Sequence, residues 1–131
     1  MFYWAPHTSE LELHIEAAGE HEVFIDALLG VAELLGVDVR REPDVCRRLR
    51  AQAGDRPALL AAWLEELIFV VETEGFEPVG VRELRLEDES AEALVVGSLG
   101  EPPPLIKAVT YHGLTFAAVE GGYRASVVLD V

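Results

Sequence analysis

The sequence predicts an α+β fold in which two main helices pack on a largely antiparallel β-sheet. Two observations indicate this class: two apolar stripes at helical spacing lie between residues 20 and 74, and strand-like segments joined by short turns follow residue 76. Helices and strands that are segregated along a chain are typical of this architecture. A chain of 131 residues is the size of one ordinary domain, so we expect residues 1–131 to form a single domain.

The first predicted strand covers Glu10–Ala17, where apolar and polar residues alternate strictly. Such alternation is typical of a strand with one buried and one exposed face. From residue 20 the spacing of apolar residues becomes helical and continues through Phe24 to Leu35. We expect Gly36 to terminate this first helix, because glycine readily takes the left-handed conformation of a C-terminal cap.

The next segment, "DVCRRLRAQAG", predicts a short second strand over residues 44–54. Asp55 is expected to be the N-cap of the second helix, with Pro57 in its first turn. An apolar stripe that includes Trp63 continues this helix, which should end before Gly75.

After residue 76 the pattern is that of strands alone. The apolar phase changes between Val81 and Leu84, which predicts a bulge near Arg82 and Glu83. Further strands are predicted in "ALVVGSL", "LIKAVTYHGLTF" and "GYRASVVLDV". The last two are joined by "VEGG", whose glycines favour a tight hairpin.

The charge balance limits the class of partner. Twenty-four acidic and ten basic residues give a formal net charge of -14. Nucleic-acid binding depends on lysine and arginine that neutralise phosphates, so we expect no direct binding of RNA or DNA. An acidic surface suits a cation or a basic protein partner, although excess carboxylates also simply keep a protein soluble.

The cellular location is expected to be the cytoplasm. Cys46 is the only cysteine and cannot form an intrachain disulfide, and we expect its thiol to be buried and inert. The beginning of the chain lacks the features of a signal peptide. The most apolar stretch is interrupted by Glu65 and Glu66, so no membrane span is predicted.

Motifs of known catalytic chemistry are scarce. The sequence contains no glycine-rich phosphate loop, no paired-cysteine zinc spacing and no nucleophile elbow. The histidines at positions 7, 14, 21 and 112 are scattered, which favours surface or core roles over metal binding. Two features remain unusual: Lys107 is the only lysine, and Asp130 directly precedes Val131 at the end of the sequence. The Asp130 side-chain carboxylate and the α-carboxylate of Val131 would then lie close together. Either this end of the strand frays and both groups are solvated, or the two groups form a site for a hard metal ion.

Several segments resemble the archease family. They are "HTSE" at residues 7–10, "GE" at 100–101, "IKAVTYHGL" at 106–114 and "GYRASVVLDV" at the C-terminus. Phe24 also falls where archeases carry a helix phenylalanine. The resemblance covers essentially the whole chain, and it implies the fold that the residue pattern predicts.

The resemblance implies a function that composition does not. Archeases are non-enzymatic activators of the RtcB-type RNA-splicing ligase, which joins RNA ends in tRNA splicing or RNA repair. They promote the metal- and GTP-dependent guanylylation of the ligase and its multiple turnover. A diverged relative could instead be a small metal-dependent hydrolase or a binding module unrelated to ligation, and the sequence leaves both alternatives open.

The resemblance also implies which residues act. By position, the metal ligands are Glu10, Asp130 and Val131 through its carboxylate, and the implied ion is calcium or another hard divalent cation. Glu10 stands where archeases carry aspartate, which keeps the hard oxygen ligand but lengthens the side chain by one methylene. Lys107 matches the motif lysine that acts with the acidic cluster. Glu42 corresponds to an acidic position that we expect on the ligase-facing surface.

Overall fold

The computed structural model describes residues 1–7 and 9–131, and Thr8 of the "HTSE" segment lies outside the described residues. The described chain forms two helices and seven strands. In chain order they are β1 (Phe2–His7), β2 (Glu10–Ala17), α1 (Glu20–Leu34), β3 (Val45–Gln52), α2 (Arg56–Glu74), β4 (Phe76–Leu86), β5 (Ser90–Leu99), β6 (Ala108–Val119) and β7 (Gly122–Asp130). The predicted α+β class, with two main helices packed on antiparallel strands, is confirmed.

The strands form two antiparallel sheets. Sheet A has the strand order β1-β2-β7-β6, and sheet B has the order β3-β5-β4. The sequence pattern indicated one sheet and did not separate the two. It also did not predict β1, because "FYWAPH" begins with consecutive apolar residues and lacks the alternation that marks a half-buried strand.

One hydrophobic core joins both helices to both sheets. It contains Phe24 of α1, Trp63 of α2, Leu13 of β2 and Leu49 of β3, each no more than 2% exposed. The Phe24 and Trp63 rings pack edge to face, with centroids 6.1 Å apart. Burial of these large side chains supplies the main driving force for folding and fixes the two sheets relative to the helices.

The predicted helix ends are confirmed. The Asp55 carboxylate accepts a hydrogen bond of 2.8 Å from the backbone N–H of Ala58 at the start of α2. Gly75 at the end of α2 and Gly36 after α1 both have positive φ, at 67° and 76°. These conformations carry little penalty in glycine because it lacks a Cβ atom.

The C-terminal half also follows the predicted pattern. The pairing of β4 with β5 shifts register between Arg82 and Arg85, and Glu83 has a φ of 54° within that bulge. The "VEGG" hairpin pairs Val119 with Gly122. Strand β6 begins at Ala108, three residues later than the pattern indicated, after a segment that contains three consecutive prolines.

One prediction about the thiol is wrong. Cys46 is exposed, because the pairing of β3 turns Val45, Leu49 and Ala51 toward the core and leaves Cys46 on the opposite face. The prediction failed because it was drawn from the lack of an activating basic neighbour at a helix N-terminus, which does not determine whether a side chain is buried. No helix in the described part of the chain has the length and apolar character needed to cross a bilayer.

Candidate metal and partner site

Glu10 and Asp130 meet at one end of sheet A. Glu10 opens β2, Asp130 closes β7, and the two residues are direct cross-strand partners. Asp130 is in turn the partner of Ala108, which opens β6. Directly paired residues place their side chains on the same face of a sheet, so the two carboxylates share one small region of surface.

The alternation of β2 determines which face this is. Leu13 and Ile15 are fully buried in the core, whereas Glu12 and His14 lie on the other face in phase with Glu10. Both Glu10 and Asp130 are half-buried. The carboxylates therefore lie on the outer face of sheet A, opposite the helices, where a cation could reach them from solvent.

The position of Val131 is set by a backbone contact. Its N–H lies 3.4 Å from the carbonyl oxygen of Ser9, the residue that precedes Glu10. This contact holds the chain beyond Asp130 against the beginning of β2. Val131 is half-buried there and packs against the edge of the core.

The donor groups at this end of the sheet are few. Among the described side chains, no group of three or more His, Cys, Asp or Glu residues is arranged to hold a metal ion. The Glu10 and Asp130 carboxylates are hard oxygen donors of the kind that calcium and magnesium take. A cation held by this pair would need further oxygens, which a carboxylate at Val131 and water can supply.

Lys107 is adjacent to the pair through its backbone, and its side chain lies elsewhere. Its N–H donates to the carbonyl oxygen of Asp130 at 2.8 Å. The side chain is exposed and lines a cavity of about 190 Å³ with residues of α2, among them Glu65 and Glu72. Lys107 is in phase with buried Val109 and out of phase with Ala108, so it lies on the helix side of the sheet.

Glu42 lies outside this end of sheet A. It is exposed in the segment between α1 and β3, which is attached to sheet B where the N–H of Asp44 donates to the carbonyl of Gly97. The structure brings Glu10, Asp130, Val131 and the backbone of Lys107 together, and it places Glu42 on a separate exposed segment.

The outer face beside the carboxylate pair carries further polar contacts. His14 Nε2 lies 3.0 Å from a carboxylate oxygen of Glu12, and the His14 ring stacks on Tyr3 with centroids 4.8 Å apart. At the far end of β2, Arg124 pairs with Glu16 at 3.2 Å. These contacts order the outer face of sheet A next to Glu10.

Two residues near the site were not selected from the sequence. The backbone of His7 is the cross-strand partner of Glu10, so the first residue of the "HTSE" segment lies beside the pair. The Thr110 hydroxyl is buried with no hydrogen-bond partner among the described residues. His7 and Thr110 both belong to segments that resemble archeases, and this was the only signal for them in the sequence. Their position beside the Glu10–Asp130 pair could be found only from the strand register.

Tyr111 has an altered acidity that connects β6 to α2. Partial burial raises its pKa above the usual value of 10.0, and a hydrogen bond to Glu65 and the negative charges of Glu65 and Asp55 raise it further. At neutral pH the phenol is protonated, as an ordinary tyrosine is, so the neighbouring Glu65 carboxylate faces a neutral hydroxyl group and not a second negative charge.

Comparisons with known proteins agree on one family. A family model described as the Archease protein family (MTH1598/TM1083) matches residues 2–131. The "Protein archease" of Methanosarcina barkeri is 27% identical over 143 residues, which cover 99% of this chain and 95% of the relative. The "Probable protein archease" of Mycobacterium tuberculosis is 33% identical over 133 residues, covering 96% of this chain and 72% of the relative.

A solved structure has the same fold. The solution structure of Methanobacterium thermoautotrophicum protein 1598 superposes with a TM-score of 0.78 at 25% sequence identity. The match covers 99% of this chain and 98% of the other. The arrangement of two sheets and two helices is therefore shared along essentially the full length of both chains.

Proposed function

This chain belongs to the archease family, and on that premise we propose that it is a non-enzymatic activator of an RtcB-type RNA ligase. In this role it promotes the GTP-dependent guanylylation of the ligase and lets the ligase turn over repeatedly. The observation that carries the proposal is the direct pairing of Glu10 with Asp130, at the two positions where the resemblance places metal ligands.

The proposed metal ligands are Glu10, Asp130 and the carboxylate of Val131. Two carboxylates on one face, with Val131 held beside Ser9, fit a hard divalent cation. Calcium suits the set better than magnesium, because its larger and more flexible shell accepts the longer Glu10 side chain. When bound, such a cation supplies positive charge that can bind phosphate oxygens.

The chain's own residues position this pair. The pairing of β2 with β7 and of β7 with β6 fixes the backbone at Glu10 and Asp130, and the N–H of Lys107 holds the Asp130 carbonyl. Residues on paired strands are more rigidly placed than residues on loops. The carboxylates can therefore be presented to a partner with little loss of conformational entropy.

Lys107 and Glu42 are proposed to contact the ligase. Lys107 is exposed beside the Asp130 backbone, so its ammonium can approach an acidic group of the partner as a compact point charge. Glu42 is exposed on a different segment and would contact a basic group. Both contacts belong to the proposed partner surface and neither performs chemistry.

The net charge supports a protein partner over an RNA partner. At a charge of -14 the chain repels polyanions, whereas a ligase that binds RNA needs a basic cleft that an acidic helper can approach. We therefore expect no retention of RNA by the isolated protein in a gel-shift assay at physiological salt. Tight binding that weakens steeply with salt would contradict this expectation.

The proposal is tested by multiple-turnover RNA ligation with a ligase from the same organism. Adding this protein should increase the number of ligation events per ligase molecule, and Asp130→Asn should remove most of the increase. A Glu33→Gln variant, which removes one carboxylate from an exposed position of α1, should behave like the wild type. No effect of the wild-type protein on turnover would contradict activation and favour a hydrolase or a binding module unrelated to ligation.

A further inference from the structure

The outer face of α2 has one exposed aromatic side chain surrounded by carboxylates. Phe69 is 63% exposed, and Glu65, Glu66 and Glu72 are exposed on the same helix within one turn of it. A large aromatic residue normally buries most of its surface, because exposure forfeits its hydrophobic contribution. Exposed aromatic residues in such a setting are typical of protein interfaces.

This face forms one wall of the cavity that Lys107 lines. We name the cavity the α2–β6 groove, about 190 Å³ in volume, and define it by Glu65, Ile68, Phe69, Glu72, Lys107 and Val109. Ile68 and Val109, each 9% exposed, contribute apolar surface to it. The groove thus combines apolar surface with charged side chains at its margin.

The groove continues toward the proline-rich segment. An adjoining cavity of about 400 Å³ shares Glu72 with it and includes Glu101 and Pro102–Pro104. Tyr111, 54% exposed, follows Lys107 and Val109 in the same phase along β6 and interacts electrostatically with Glu65. Together the two adjoining cavities and Tyr111 form one surface on which apolar and aromatic groups lie beside carboxylates.

The charges of this surface determine which kind of partner segment can bind to it. Glu65, Glu72 and Glu101 contribute three carboxylates, and Lys107 is the one cation among the residues that line the two cavities. Acidic segments and nucleic acid would be repelled, while arginine or lysine beside an apolar side chain would pair with the carboxylates and cover Phe69. The composition suits a protein segment better than a small molecule, because apolar and charged side chains are spread over two adjoining cavities.

We propose that the α2–β6 groove docks a basic, partly apolar segment of the partner ligase, on the side of sheet A opposite the Glu10–Asp130 pair. This inference rests on the proposed function, since it takes the partner to be the ligase. Lys107 connects the two regions, because its backbone holds Asp130 while its side chain lines the groove. The groove provides affinity, and the carboxylate pair provides activation.

The separation of affinity from activation can be tested with two single variants. Phe69→Ala should raise the Kd for the ligase by about tenfold or more, as expected for an aromatic interface residue. At saturating concentration this variant should still stimulate turnover fully, because Glu10 and Asp130 are intact. Asp130→Asn should bind with nearly the wild-type Kd and fail to stimulate.

Charge is tested separately with Glu72→Lys, which keeps Phe69 and reverses one groove charge. It should weaken binding, and its affinity should depend less steeply on salt than that of the wild type. Val119→Ala is a control for loss of an exposed apolar side chain, since Val119 is 38% exposed at the end of β6 farthest from Lys107. Its Kd should be that of the wild type. Thermal unfolding of each variant verifies that the fold is retained.

The outcomes distinguish this inference from the proposed function. If wild-type protein binds the ligase while Phe69→Ala and Glu72→Lys bind within about twofold of it, the groove is not the docking surface, since interface hot spots cost far more than this. If the wild-type protein neither binds nor stimulates the ligase, the proposed function and the groove's assignment to the ligase both fail.

Discussion

Glu10 and Asp130 lie directly opposite each other on β2 and β7, at the end of sheet A where one strand begins and the other ends. Directly opposite residues of an antiparallel pair have Cβ atoms about 4.5–5.5 Å apart. Both side chains lie on the same face of the sheet, and a divalent cation at this end could take oxygens from both.

Replacing Asp130 should therefore weaken binding of a hard cation. Asp130→Asn removes one charge and should lower calcium affinity by about tenfold or more, since ligand charge sets the affinity of such sites. Isothermal titration calorimetry measures the change, and Glu33→Gln is the control for loss of a distant carboxylate. Unchanged calcium affinity in Asp130→Asn would remove Asp130 from the site.

Shortening the Glu10 side chain should strengthen calcium binding, whereas Asp130→Asn should weaken it. Glu10→Asp restores the residue type that archeases carry at this position, and the shorter side chain has fewer rotatable bonds to order. We expect tighter calcium binding than in the wild type, measured in the same calorimetric experiment. Weaker binding in Glu10→Asp would show that the strand spacing in this chain requires the longer side chain.

The parts of the fold that could be predicted from the sequence are those determined by residues close together in the chain. The caps at Asp55 and Gly75, and the bulge at Glu83, were predicted because each follows from the chemistry of one or two residues. Strand β1 and the division into two sheets were not predicted, because they depend on pairings between segments distant in the sequence. The direction of the Lys107 side chain could be read from its phase with Val109 only once the beginning of β6 was known.

The candidate site shows the same limit. The resemblance identified Glu10 and Asp130, and the register of β2 with β7 then placed them directly opposite each other. The groove around Phe69 was missed because the neighbouring glutamates read as an ordinary solvated helix face. Only the packing of α2 beside Lys107 distinguishes that face from a solvated one.

The hydrogen bond between the two helices predicts a measurable loss of stability. Trp63 is fully buried and donates its indole N–H to the carbonyl oxygen of Phe24 at 3.0 Å. Trp63→Phe should lower the free energy of unfolding by about 1–3 kcal/mol, through loss of this bond and of packing volume. Urea unfolding measures the difference.

Trp4 provides a matched control for that hydrogen bond. Its indole nitrogen is buried without a hydrogen-bond partner among the described residues. Trp4→Phe removes a buried donor that makes no such bond, so its destabilisation should be smaller than that of Trp63→Phe. An equal loss in the two variants would show that the Trp63 bond contributes little.

The N-cap of α2 should contribute independently. Asp55→Ala loses the acceptor for the Ala58 N–H and should lower the free energy of unfolding by about 0.5–2 kcal/mol. Asp55→Ser retains a capping oxygen and should recover most of the loss. If Asp55→Ala and Asp55→Ser are equally stable in urea unfolding, loss of the cap hydrogen bond is not the cause of the destabilisation in Asp55→Ala.

Tyr111 should titrate in a way that reports its contact with Glu65. Because its folded pKa is raised above 10.0, the stabilisation it provides is complete below that pH and is lost as pH rises through the folded pKa. Ultraviolet titration of the phenolate should show a lower Tyr111 pKa in Glu65→Gln, with part of the shift remaining from burial. Glu66→Gln, one residue away, should leave the titration unchanged, and a Glu65→Gln profile identical to the wild type would contradict the contact.

The most direct test of the account is the rate at which the ligase is guanylylated, at a saturating concentration of this protein. Wild-type protein should increase this rate, and Asp130→Asn, although still bound to the ligase, should leave it near the rate of the ligase alone. Stimulation by Asp130→Asn equal to that by the wild type would contradict the claim that the Glu10–Asp130 pair is responsible for activation.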